Sequence, residues 1–229
     1  MPLNISGSII TSNSSDILDQ KSIVTHDLVY HLDADSPNCY PITGRPKATD
    51  ISGAMSNSGT MYTGNAISFD GTNDSIVVGA LSDPPRDSGS VSCWVNVADT
   101  SSPVVGKFID SQGGWFGIQR VGSSINVYAG YTGSGPYATN LGSISANAWY
   151  HVCGTHNAYG SGDIRVYING KQVGSTYTAA GGTTQGNSFT IGPNGTGASK
   201  ICDMRVYNIG LTNEQVNEMW ICDKGRFGH

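Results

Sequence analysis

Val91-Ser92-Cys93-Trp94-Val95-Asn96-Val97 alternates without a break, with Val91, Cys93, Val95 and Val97 on one side of an extended chain. A period of two marks a β-strand that lays one face on a core and turns the other towards solvent or a second layer. Ile164-Arg165-Val166-Tyr167-Ile168 repeats the pattern, with Ile164, Val166 and Ile168 on the core side. Asn169-Gly170 follows and precedes another extended run. This pair is a strong short hairpin signal, because both central residues of a type I′ turn need positive φ.

Working outward from these two strands, the same logic finds short extended segments between turn signals along most of the chain. They are Leu28–Leu32, Ala66–Phe69, Ser75–Val78, Ser90–Val97, Val104–Ile109, Gly114–Val121, Ser124–Ala129, Trp149–His156, Asp163–Ile168, Gln172–Thr176, Phe189–Ile191 and Ile201–Tyr207. One short helix is expected near the end. Thr212-Asn213-Glu214-Gln215 is a capping box, Val216, Met219 and Trp220 follow at helical spacing, and Lys224-Gly225 is expected to stop it. Many short strands and one late helix describe an all-β antiparallel sandwich of jelly-roll type.

Composition agrees. The chain has 229 residues, enough for one large β-domain, and its 31 glycines suit many tight turns. Charged residues are only 13%, and the 12 Lys and Arg form no basic stripe against a net charge of -5, so nucleic acid is not an expected partner. No run has the length and apolarity of a membrane span, so no membrane is expected either. Met1 to about His26 is read as an N-terminal arm (1–26), with Ile9, Ile10, Ile17 and Leu18 as its anchoring residues, and 27–229 as the sandwich domain. The arm lacks a basic, then apolar, leader pattern, so synthesis and assembly in a cytoplasm are expected. Cys39, Cys93, Cys153, Cys202 and Cys222 are odd in number and irregularly spaced, hence read as free thiols.

The ordered segments carry a family resemblance. Ala66-Ile67-Ser68-Phe69-Asp70-Gly71-Thr72-Asn73-Asp74, Ser90-Val91-Ser92-Cys93-Trp94-Val95, Trp149-Tyr150-His151-Val152-Cys153-Gly154-Thr155 and Arg165-Val166-Tyr167-Ile168-Asn169-Gly170-Lys171 resemble successive strands of laminin-G-like, concanavalin-A-like jelly rolls. Ile201–Asn208, followed by Leu211–Val216, resembles their closing segment. Leu28–Ala34 and Lys224–Gly228 resemble the opening and ending of structural proteins from tailed bacteriophages. This second resemblance implies a virion protein, a capsid decoration or a tail or fibre component. It would be oligomeric on the particle, with other virion proteins and a cell-surface glycan as partners.

Function is weighed residue by residue. Glycosidases on this architecture use paired carboxylates, whereas the only glutamates are Glu214 and Glu218, both on the expected helix and read as solvent-facing. The chain is therefore read as a non-enzyme. His151 and Cys153 share strand parity and His156 opposes them, which argues against a zinc site on that strand. No cofactor is required. Calcium is the one ion considered, with Asp110 and Asn194 as its candidate ligands, although the late loop Gly192–Gly197 contributes no acid. Trp115, Tyr128, Tyr131 and Tyr137 are the candidate ligand-binding rings, weighed against packing between sheets or on a neighbouring subunit. Trp94, Trp149 and Trp220 are read as core. Two functions follow: a displayed lectin-like module on a virion, or a stand-alone calcium-assisted carbohydrate-binding lectin.

Overall fold

The computed structural model describes residues 27–32, 48–52, 56–61, 64–69, 75–78, 88–100, 105–111, 116–129, 142–157, 163–178, 189–191 and 199–227. The strands are β1 (Leu28–Leu32), β2 (Ala48–Ser52), β3 (Ser56–Met61), β4 (Gly64–Phe69), β5 (Ser75–Val78), β6 (Gly89–Val97), β7 (Val105–Ser111), β8 (Phe116–Val121), β9 (Ser124–Ala129), β10 (Trp149–His156), β11 (Asp163–Ile168), β12 (Lys171–Thr178), β13 (Phe189–Ile191) and β14 (Ser199–Tyr207). One helix, α1 (Asn213–Phe227), follows.

Two antiparallel sheets form. The first has the order β12-β11-β10-β6-β14-β4-β3, and β1 also pairs with β14. The second has the order β2-β5-β13-β7-β8-β9. Long β14 carries two neighbours on one side: Ser199–Ile201 pair with β4, and Met204–Tyr207 pair with β1. The expected strands are all present, some with ends shifted by one or two residues. β2 and β3 were not expected; SNSGTM and ATDIS hold too few apolar residues to show alternation.

The core lies between the sheets. Val91, Cys93, Val95 and Val97 of β6, Ile164 and Val166 of β11, and Ile201, Met204 and Val206 of β14 meet Ile118 of β8 and Ile125 and Val127 of β9. The sheets approach closely at Gly154, where a Cβ would stand 2.6 Å from the Val127 side chain. Asn169 (φ 51°) and Gly170 (φ 73°) make the left-handed turn of the β11–β12 hairpin, as the sequence indicates.

The capping box also forms. The Gln215 amide donates to Thr212 Oγ1 (3.3 Å), and the Thr212 amide donates to Gln215 Oε1 (2.8 Å). Lys224-Gly225 does not stop the helix, which continues to Phe227. Gly lowers helix propensity by only about 1 kcal/mol, which the packing of α1 on the sheet offsets. No helix among the described residues is long and apolar enough to cross a membrane.

Candidate binding cleft at the rim of the first sheet

The outer face of the first sheet, turned away from the core, divides into two parts. Beneath α1 it is closed. Cys153, Tyr167 and Tyr207 from the sheet pack with Leu211, Val216 and Met219, and Trp94, Ala66 and Cys202 pack with half-buried Trp149 and Trp220.

Charges are buried in the closed part. A β-bulge between Cys202 and Arg205 puts Asp203 in the left-handed region (φ 49°). Strict alternation from Ile201 would aim Asp203 into the core; the extra residue turns it outward beside Arg205. Arg205 donates from Nη2 to Asp203 Oδ2 (2.6 Å) and grips Asp223 of α1 through both terminal nitrogens (2.9 Å each). His31 of β1 donates from Nε2 to Asp203 Oδ1 (2.6 Å). Burial opposes the Arg205 charge, but the Asp203 and Asp223 carboxylates more than offset this and raise its pKa. Burial and the Asp203 charge push Asp223 up to about 6, with Arg205 pulling the other way.

His151, packed 5.6 Å from the Trp94 ring, is held neutral. Burial, and then the Arg205 charge, lower its pKa to about 3. This network is shut off from any ligand; it ties β1, β14 and α1 together.

One row further along the same strands the cover ends. Trp149 pairs with Asn96, Asn96 with Lys200 and Lys200 with Ser68, so four strands present these residues in line on the outer face. Neighbouring strands lie roughly 4.8 Å apart, so the row spans about 14 Å. Over the rim beside it opens a cleft of about 290 Å³ lined by Ser68, Phe69, Asn96, Ala98, Asn147, Ser199 and Lys200. Asn147 (φ 58°) shapes its wall: its amide donates to Val97 O (2.7 Å) and its Nδ2 to Ala98 O (3.4 Å), pinning the start of β10 to the end of β6. The size matches the lower bound of small-ligand pockets. Its described lining holds amides, hydroxyls and one ammonium, and no carboxylate.

The structure describes two of the sequence-predicted ligand positions, Asp110 and Tyr128. Trp115, Tyr131, Tyr137, Asn194, Ile9, Ile10, Ile17 and Leu18 lie outside the described residues. Asp110 on β7 and Tyr128 on β9 are both paired with Gly117 of β8, which brings their backbones into one row of the second sheet, apart from the cleft. Trp149, read as core, is half-buried and stands next to Asn96. Asn96 was legible as an outward-facing position, whereas Lys200 precedes the strand expected at Ile201–Tyr207, and nothing local shows that the two become neighbours. His151, Cys153 and His156 are buried, and among the described residues no group of three metal-ligating side chains converges. Glu214 and Glu218 are exposed on α1, as expected.

A family model described as Laminin_G_3, concanavalin A-like lectin/glucanases superfamily, matches residues 70–217. No curated protein sequence matches significantly. Among solved structures, the receptor binding domain of botulinum neurotoxin C/D mosaic serotype superposes with a TM-score of 0.70 at 18% identity, over 86% of this chain and 51% of that one. The botulinum neurotoxin serotype D binding domain gives 0.68 at 18%, over 85% and 51%. The binding domain of botulinum neurotoxin DC in complex with SialylT gives 0.67 at 14%, over 85% and 51%. The chain thus spans about half the length of these structures, and at such identity the likeness shows the fold.

Proposed function

The chain belongs to the concanavalin A-like lectin/glucanase superfamily, and from that premise we propose a non-catalytic module that binds saccharide in the rim cleft. The observation that carries this is the outer row Trp149–Asn96–Lys200–Ser68 beside an open pocket. Amide and hydroxyl groups match sugar hydroxyls, and an indole supplies apolar area with a polar edge. The non-catalytic reading is supported by where the acids lie. Hydrolysis of a glycosidic bond needs two carboxylates across the sugar. None lines the described cleft, and Asp203 and Asp223 are locked onto Arg205 beneath α1.

The test is a glycan array probed with the full chain, with calcium and with EDTA. Retained binding in EDTA, weakened in Asn96→Ala, supports the cleft. Binding that vanishes in EDTA and is indifferent to Asn96→Ala would favour the calcium-assisted lectin centred on Asp110 and Asn194. Turnover of any polysaccharide would overturn the non-catalytic reading.

We propose further that the module is displayed on a tailed-phage virion, its arm holding the particle and many copies giving avidity. The phage-like opening Leu28–Ala34 and ending Lys224–Gly228 support this setting. Mass spectrometry of purified particles tests it, and absence of the chain from the particle would refute it.

A further inference from the structure

We infer that the saccharide recognised in the rim cleft carries an acetamido group, seated between Asn96 and Asn147; the inference rests on the cleft being a saccharide site.

The geometry starts from the pairing of β6 with β10. Trp149 stands opposite Asn96. Two residues nearer the rim on each chain, Asn147 meets Ala98: its amide donates to Val97 O (2.7 Å) and its Nδ2 to Ala98 O (3.4 Å). Side chains opposite each other across an antiparallel pair lie about 5 Å apart, and second neighbours along a strand lie about 7 Å apart. Asn96, Ala98 and Asn147 line the cleft, and half-buried Trp149 borders it on the outer face of the sheet. The two carboxamides thus hold one diagonal of a four-residue patch, and an indole and a methyl hold the other.

The carboxamides keep hydrogen-bonding capacity for a ligand. Asn147 commits its Nδ2 to Ala98 O, which leaves its Oδ1 to accept. Asn96 is half-buried, and its side chain makes no hydrogen bond to another described residue, so its Nδ2 is left to donate. Ala98 is exposed and ends at Cβ, so space lies open above it between the two amides.

An acetamido group matches this arrangement in one plane. Its N–H meets Asn147 Oδ1, its carbonyl meets Asn96 Nδ2, and its methyl sits over Ala98. A sugar hydroxyl can serve either amide but leaves the seat over Ala98 empty. A carboxylate has no hydrogen to give Asn147 Oδ1 and no methyl.

The experiment is titration calorimetry of the full chain against matched sugars that differ only in acetamido against hydroxyl. The pairs are N,N′-diacetylchitobiose with cellobiose and N-acetyllactosamine with lactose. At least one acetylated member is expected to bind about tenfold more tightly than its partner. Ala98→Leu should fill the methyl seat and erase that preference while leaving the hydroxyl partner's affinity nearly unchanged. Asn147→Gly removes the carboxamide yet tolerates the left-handed backbone (φ 58°), and should weaken the acetylated ligand about fivefold. Thermal melts of both variants check that the fold is retained. Equal binding of acetylated and hydroxyl partners, unaltered by Ala98→Leu, overturns the acetamido group while leaving the saccharide cleft standing. A preference that survives both substitutions overturns its seat between Asn96 and Asn147. No binding by any member overturns both readings.

Discussion

Beneath α1 the outer side chains of β10, β6 and β14 are sealed, and the polar ones find each other: Arg205 holds Asp203 and Asp223, and His31 holds Asp203. One row along, the same three strands present half-buried Trp149 and Asn96 and exposed Lys200. Both parts use the same alternate positions of the same strands. What separates them is the reach of one helix. Where the helix covers them, charges become internal ties; where it stops, polar groups are left for something outside the chain.

The sharpest way to break this contrast is to remove the centre of the covered part. Arg205→Met should strand two buried carboxylates and cost about 3–5 kcal/mol. Urea unfolding would measure it, and an unchanged midpoint would mean the network ties nothing together. Saccharide binding by the folded fraction at low temperature should persist, because the cleft is built from other residues.

Next in size is overpacking where the two sheets meet. Gly154→Val should cost about 1–3 kcal/mol by pushing Val127 aside, and Val127→Ala in the same chain should restore part of it. If the pair of substitutions is simply additive in thermal melts, the close approach is not the cause.

A smaller effect is pH dependence confined to the covered part. His151 has a folded pKa near 3, below its ordinary value of 6.5, so its contribution is complete above about 6.5 and declines as pH falls towards 3. The slope is about 1.4 kcal/mol per pH unit. Asp223, raised to about 6 from 3.8, acts oppositely, adding stability as pH falls from about 6 towards 3.8. The two therefore partly cancel in the native chain between pH 6 and 4. Asp223→Asn should unmask the steeper fall, and adding His151→Phe should flatten it. Denaturant titrations at pH 7, 5.5 and 4.5 check the sign.

The smallest stability effects belong to the open row. Ser68→Ala and Asn96→Ala should each shift stability by no more than about 0.5 kcal/mol. Each should still weaken saccharide binding about fivefold. A large loss of stability would mark the row as structural and undo the comparison.

Much of the fold was legible because its signals are local. Alternation in Val91–Val97 and Ile164–Ile168, the Asn169-Gly170 turn and the Thr212–Gln215 cap each depend on a few adjacent residues, and each appears in place. β2 and β3 escaped because polar edge-type strands lack that alternation. The cleft escaped for another reason. Ser68, Asn96, Trp149 and Lys200 come from four distant parts of the chain and meet only through strand pairing. Trp115, Tyr131 and Tyr137 lie outside the described residues, and the described cleft is lined in part by amides, hydroxyls and an ammonium that look unremarkable singly.

By itself the sequence determined which side of each strand is apolar, because burying every second residue needs only a period of two. It could not determine the fate of the other side. That was decided by the bulge that turns Asp203 outward, by the placement of α1 across β14, β6 and β10, and by the point where α1 ends its cover. Those are contacts between segments far apart along the chain, and only the folded arrangement distinguishes a polar residue enclosed as a tie from one left open to a ligand.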